Sequence, residues 1–386
     1  MTTLLVSSVR RHTRPGEPSS FLSAVDSSAG RVVGRCRIPE APYLEFDPNP
    51  RGGMRGGKGI AFGGGEAFVA NCSEVFRYGP GWRPLGTITH PSCALIHDLF
   101  WNDGTLWAAS ARNDLVFQFL PTGKRVRHLN LRDWGEDLGP LGWRRKNFLE
   151  DDAVACGRID FRDPRTHSYE DHDGAHVNSV AVLPGGDLLV LAGMIWTRRA
   201  NLLFHLREEL KWIGLWRWFV AGNRLALKFL GRRPPPNGEL AFEIVTGRSA
   251  VFRVRPDGTA RACLVLDRAR LPAHNLLPLA DGTVLLNHSS SGAVLRFDPD
   301  DGRVLQSVHA SDAFLRGITQ LSGSRVAVGS GNEVRVVDLE AGRIEAAIAL
   351  SADPHESVYG VAVAPPGFLP LPQRLPAPEP RWRKAA

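Results

Sequence analysis

The stretch HDGAHVNSVAVL, residues 172–183, sets His172, Asp173, His176 and Asn178 immediately ahead of an apolar strand. Imidazole, carboxylate and amide oxygen are donors that hold divalent metals. Histidine and aspartate also exchange protons during catalysis. The same residue types recur at the heads of other apolar runs: His97 and Asp98 in IHDLFW, His274 and Asn275 in HNLLPL, Arg316 in RGITQL. Lys58 precedes GIAF, and Tyr359 opens YGVAV. Whether these groups meet depends on the elements that carry them.

Those elements repeat. Residues 96–131, IHDLFWNDGTLWAASARNDLVFQFLPTGKRVRHLNL, read as four strands joined by DG and PTG turns, where glycine supplies the positive φ a tight turn needs. The plan recurs over 58–88, 274–308 and 316–350, and over 178–193 resumed at 249–266. A period of roughly 35–40 residues is that of propeller blades. The N-terminal TLLVSS and FLSAVDSSAGRVVGRCRI form three outer strands lacking an inner one, and YGVAVAPPG (359–367) is an inner strand lacking outer partners. Joined, they complete a sixth blade and leave no free sheet edge at the seam. The expected fold is an all-β, six-bladed propeller, one domain over residues 1–386 with a Pro-rich tail at 368–386.

In a four-stranded antiparallel blade, the inner strand starts on the face where the blade-to-blade connections run. Segments 39–57, 132–175 and 194–238 depart from the repeat, and strand counting places all three on this entry face. Function concentrates where loops elaborate a rigid scaffold. The inner-strand heads line the channel there: Lys58, His97, Asn178 or Ser179, His274 or Asn275, Arg316 and Tyr359. Two readings stay open: a divalent ion (calcium, zinc, manganese or iron) held by His97, His176, Asn178 and His274, or a water-filled channel with satisfied polar walls. In the first, Asp98 or Asp173 acts as base or orients a ligand, and Arg316 and Tyr359 orient substrate. His172, Asn275, His288 and His355 add polar contacts on the same face. In RGGMRGGK (51–58), Arg55 and Lys58 stand among glycines that admit an anion close to the backbone. A solvated loop is the plain alternative, because the GxxxxGK[ST] spacing is absent.

IHDLFWNDGTLWAAS and HVNSVAVLPGGDLLV resemble the inner-strand starts of the senescence-marker/gluconolactonase-like six-bladed propellers. They look closer still to an uncharacterised bacterial propeller family with IHD and HxNG at these places. The resemblance implies one divalent cation in the channel and opening of sugar lactones. Asn178 then matches an asparagine ligand, and His97 or Asp98 falls near an acidic or polar position. The chain departs from that pattern where Lys58 stands in place of a glutamate and where histidines replace carboxylate or asparagine. Propellers with more blades bind non-haem iron through four inner histidines, and His97, His176, His274 and His355 would be their counterparts.

Residues 198–233 differ from everything else, with Leu203, Leu206, Leu210, Ile213, Trp216 and Val220 at helical spacing and nine Lys or Arg against two Glu. This amphipathic helical insertion in blade three reads as a lid, a self-association surface or a membrane-interface element. Net charge is +7, yet no nucleic-acid-binding motif accompanies it. The five cysteines form no CxxC pair, which suits free thiols in a reducing compartment. Neither a signal peptide nor an 18-residue apolar run is present. A cytoplasmic protein, in peripheral contact with a membrane if at all, is the expectation. GxSxG is absent, and Ser289 beside His288 is only a sequence neighbour. The function expected is a metal-dependent hydrolase, lactonase-like, acting on a small anionic or apolar molecule. The alternatives are a non-catalytic propeller binding a ligand, partner or membrane, and a histidine-ligated iron oxygenase.

Overall fold

Burial along the strands follows their distance from the axis. The second-strand sequence LLVLAGMI is buried at every position, because neighbouring blades cover both its faces. The outermost RIEAAIA is mostly exposed. The computed structural model describes all residues except 1, 15, 48–53, 144–157, 168–172, 196–213, 216–217, 219–220, 223–228, 230–246 and 378–386.

The chain begins with β1 (Thr3–Arg10), β2 (Ser20–Asp26) and β3 (Arg31–Arg37). Blade 1 is β4 (Ile60–Gly63), β5 (Glu66–Ala70), β6 (Glu74–Gly79) and β7 (Arg83–Thr89). Blade 2 is β8 (Ile96–Asn102), β9 (Thr105–Ser110), β10 (Leu115–Phe119) and β11 (Arg125–Asn130). Blade 3 is β12 (Val177–Val182), β13 (Leu188–Ile195), β14 (Gly247–Val254) and β15 (Ala260–Ala269). Blade 4 is β16 (His274–Pro278), β17 (Val284–His288), β18 (Ala293–Phe297) and β19 (Val304–His309). Blade 5 is β20 (Leu315–Ser322), β21 (Arg325–Ser330), β22 (Glu333–Asp338) and β23 (Arg343–Ala349). The last strand, β24 (Glu356–Val363), pairs with β1 to give a sixth sheet in the order β24-β1-β2-β3. Leu5 lies opposite Ala362 and Ser7 opposite Gly360 in this closing ladder.

Each of the six blade-to-blade interfaces holds its own apolar cluster. Between blades 5 and 6, Leu4 and Val6 of β1 pack with Ala327, Val334 and Val358. Between blades 6 and 1, Leu5 and Leu22 meet Val69, Phe76 and Tyr78. The first half of the Pro-rich tail belongs to this second cluster: Phe368 meets Trp82 edge-on at 5.4 Å, Leu375 is fully buried, and the Tyr78 hydroxyl donates to Pro376 O at 3.1 Å. The described part of the tail is thus a clamp across the seam.

Short helical turns, Leu131–Trp134, Gly135–Leu138 and Gly139–Leu141, follow β11 where the 132–175 segment begins. The helical insertion expected over 198–233 lies largely outside the described residues. Within it Trp218, Ala221, Gly222 and Phe229 are helical, and Trp218 and Phe229 are 77% and 84% exposed. No described helix is long and apolar enough to cross a membrane.

Candidate functional site

The inner strands share one irregularity. In five of the six, the ladder to the second strand skips a residue near the strand head: His97, Asn178, Asn275, Gly317 and Tyr359. A β-bulge of this kind re-aims one side chain and shifts the facing of its neighbours. The bulges produce two layers across the channel, each with one residue per blade.

The upper layer, on the entry face, is a collar of Lys58, His97, His176, His274, Arg316 and Tyr359. Lys58 Nζ lies 3.7 Å and Arg316 Cζ 4.2 Å from the centre of the Tyr359 ring. His97 is 5.6 Å from Tyr359, 5.6 Å from His274 and 5.1 Å from His176, ring centre to ring centre. Arg316 Nε donates to His274 Nε2 at 3.2 Å and completes the circuit. Beneath it, the waist comprises Gly59, Asp98, Ser179, Asn275, Gly317 and Gly360. Gly317, at φ +71°, could not carry a side chain, since its Cβ would come within 2.8 Å of Val361 N.

His176 is held by a device of its own. It has φ +50°, uncommon for a residue with a β-carbon. Asp114 enforces the turn, its Oδ2 accepting from Gly174 N at 2.8 Å and Ala175 N at 2.9 Å. Asp173 Oδ2 then sits 2.6 Å from His176 Nδ1. Burial pushes the Asp114 carboxyl up to about 7, and neighbouring Asp173 adds to it.

The collar sorts its titrating groups by neighbour. Burial, reinforced by the surrounding cations and imidazoles, pushes His97 and His274 well below the usual histidine range, so both are neutral. Burial opposes the charge on His176 too, but Asp173 outweighs it and holds the imidazole above its ordinary value. Burial would raise the Tyr359 phenol, yet Arg316, Lys58 and Arg11 bring it down to about 6. Burial lowers Lys58 and takes Arg316 down to about 10. Near neutral pH the collar therefore offers a phenol that ionises at about 6, two neutral imidazoles, a third imidazole biased toward its protonated form, the Arg316 guanidinium and the Lys58 amine. Lys58 Nζ, Arg316 Nη1 and His97 Nδ1 are buried without a hydrogen-bond partner among the described residues.

Not every expected site residue joins the collar. Asp98 turns into the waist, where its Oδ2 accepts from Ser179 Oγ at 2.6 Å. Asn178 Nδ2 donates to Ala273 O at 2.7 Å, stitching blade 3 to blade 4. Asn275 Oδ1 accepts from Gly317 N at 2.6 Å, stitching blade 4 to blade 5. Arg55 bonds Thr13 and pairs with Asp47 at 2.7 Å, with both side chains of the pair buried. His288 caps the turn after β17, its Nδ1 at 2.7 Å from Ser291 Oγ. His355 is exposed and edge-on to His12 at 5.1 Å, so the four-histidine set for iron loses its fourth member. His172 lies outside the described residues.

Two participants escaped sequence reasoning. Asp114 follows β9 in ASARND, where only the left-handed turn (φ +54°) betrays it. Phe314 contacts His274 edge-on at 5.5 Å and carries Arg316 at 4.2 Å over its ring. It stands two residues before Arg316, on the collar side of β20, with no motif to mark it.

A divalent ion, implied by the family resemblance, fits these donors poorly. His274 Nε2 is taken by Arg316 and His176 Nδ1 by Asp173. Lys58 and Arg316 place two cations on the same collar. Among the described residues, no three His, Cys, Asp or Glu side chains converge as ligands.

No protein-family model matches the chain, and no curated protein matches it. Solved structures do. The structure of a nidogen/laminin complex aligns over 95% of this chain and 99% of that one, at 12% identity and a TM-score of 0.54. A protein of unknown function from Bacteroides caccae aligns over 94% and 98%, at 10% identity and a TM-score of 0.51. One provisionally described as a gluconolactonase covers 77% and 78%, at 15% identity and a TM-score of 0.43. The first two likenesses support the propeller fold and carry nothing about activity.

Proposed function

We propose that the chain is a hydrolase of the lactone- or ester-opening type, acting on a small anionic substrate held at the collar. The observation that carries this reading is the Tyr359 ring packed against Lys58 Nζ and Arg316 Cζ, at 3.7 and 4.2 Å. A phenol brought down to about 6 by that contact is a general base poised for neutral pH. Lys58 Nζ and Arg316 Nη1, buried and short of acceptors, suit a negatively charged group on the substrate and the oxyanion that forms when water adds to its carbonyl. His176, biased toward its protonated form by Asp173, is placed across His97 from Tyr359 and supplies the proton to the departing oxygen. His97 and His274, both neutral, orient substrate by hydrogen bonds. Phe314 lines the collar beside them.

The test is turnover of a panel of lactones and aryl esters, with and without a carboxylate or phosphate, by the wild type and Tyr359→Phe. The expected result is preference for the anionic members. A fall in kcat of about 10²-fold or more in Tyr359→Phe, with little change in KM, accompanies it. Anion binding without turnover by the wild type, or equal rates in both proteins, overturns the assignment and leaves a ligand-binding propeller.

A further inference from the structure

Below the waist the channel widens again toward the face opposite the collar. The cavity there measures about 220 Å³, room for about seven waters at roughly 30 Å³ each. Its lining side chains are mostly apolar and partly aromatic, with Phe62, Phe100, Trp101, Leu276 and Ile318 among them and Asn275 and Thr319 as polar members. Its polar end is Asp98, which keeps contact with the lumen through a partly exposed surface. Asp98 accepts from Ser179 Oγ at 2.6 Å, from Leu99 N at 3.0 Å and from the Asn275 side-chain amide, and all three donors are neutral. No Lys, Arg or His pairs with it among the described residues, although Lys58 stands one residue before the neighbouring waist position.

A carboxylate this deeply set and lacking a cation is costly to keep charged. Burial holds the Asp98 group up at about 7, at the balance between its two forms. Ser179 cannot relieve the charge further, because its single hydroxyl proton is already donated to Asp98, and its oxygen accepts from Leu276 N at 2.9 Å. What the arrangement lacks is a positive charge delivered from outside along an apolar, aromatic-walled passage. Aromatic faces favour a cation there as well.

We propose that this cavity is a second binding site, distinct from the collar, for a small organic ammonium ion. The ammonium pairs with the Asp98 carboxylate, and the apolar body of the ligand lies against Phe100, Trp101 and Ile318. The inference does not depend on the hydrolase reading, since the site uses no collar residue and opens on the opposite face.

The experiment is calorimetric titration of the full chain with benzylammonium, benzyl alcohol and benzoate. Each is repeated on Asp98→Asn, Thr319→Trp and Tyr359→Phe. Thr319 lines the cavity and makes no hydrogen bond to Asp98 among those of the described residues, so Thr319→Trp blocks the passage and keeps the test decisive if Asp98→Asn fails to fold. The expected result is saturable benzylammonium binding in the millimolar range or tighter. It weakens at least about tenfold in Asp98→Asn and Thr319→Trp and is unchanged in Tyr359→Phe. Benzyl alcohol and benzoate bind at least about tenfold more weakly than benzylammonium. No saturation up to about 10 mM, equal binding by Asp98→Asn, or loss in Tyr359→Phe would overturn the assignment, the last placing the ligand at the collar.

Discussion

Asp173 Oδ2 lies 2.6 Å from His176 Nδ1, and the imidazole they fix is the collar member 5.1 Å from His97. The ion pair raises the His176 pKa above its ordinary value. Its contribution to stability is therefore fully present below about pH 6.5 and is lost as pH rises through the raised value. In Asp173→Asn, the His176 resonance in an NMR titration should move to a midpoint below about 6.5. Turnover at neutral pH should fall about 10²-fold. An unshifted midpoint would remove Asp173 from this role.

Tyr359 carries the opposite sign. Its folded value is depressed to about 6, against roughly 10 for a free phenol. The stability it contributes is present above the unfolded value and lost as pH falls through about 6. Phenolate absorbance should therefore appear with a midpoint near 6 in the wild type and climb by more than about one unit in Arg316→Gln. Tyr359→Phe should abolish that transition, identifying its source among the four tyrosines.

Arg55 should matter to stability and not to substrate. Its pair with Asp47 leaves the two side chains 5% and 0% exposed. Breaking a buried pair by removing one partner typically costs about 3–5 kcal/mol. Urea denaturation of Arg55→Gln is expected to show a loss of this order, with KM unaltered. A raised KM at unchanged stability would restore Arg55 to the binding site.

Gly174 separates the two acids that serve His176. A Cβ there would lie 2.7 Å from Trp143 Nε1 and 3.2 Å from Asp114 Oδ2. Gly174→Ala should cost about 1–3 kcal/mol by overpacking. It should also displace Asp173, lowering the His176 midpoint in the same NMR titration. Wild-type stability and titration in this variant would show that the segment yields without consequence.

The blades were legible because turn glycines and apolar runs recur with a fixed period, and the closing blade because its two halves complement each other. The collar was legible in outline: Lys58, His97, His274, Arg316 and Tyr359 all lie at heads of apolar runs. Which neighbour faces the lumen was not. One skipped residue in a ladder exchanges the facing of adjacent side chains. That exchange sends Asp98 below its neighbour His97, and Asn178 into the wall. Asp114 and Phe314 act through turns and contacts made by residues distant in sequence, which periodicity does not record.

The seam between β24 and β1 has a temporal meaning. Ser7 Oγ bonds both Lys58 O and Gly360 N, so the first strand, the first collar residue and the last inner strand share one hydroxyl. A growing chain carries Lys58 and all three collar histidines well before it carries Tyr359. The collar's phenol and β24, the strand that seats it, emerge from the ribosome together and after the other five collar residues. Until then the channel mouth holds basic groups and imidazoles without a phenol, and the collar is complete only once β24 has paired with β1.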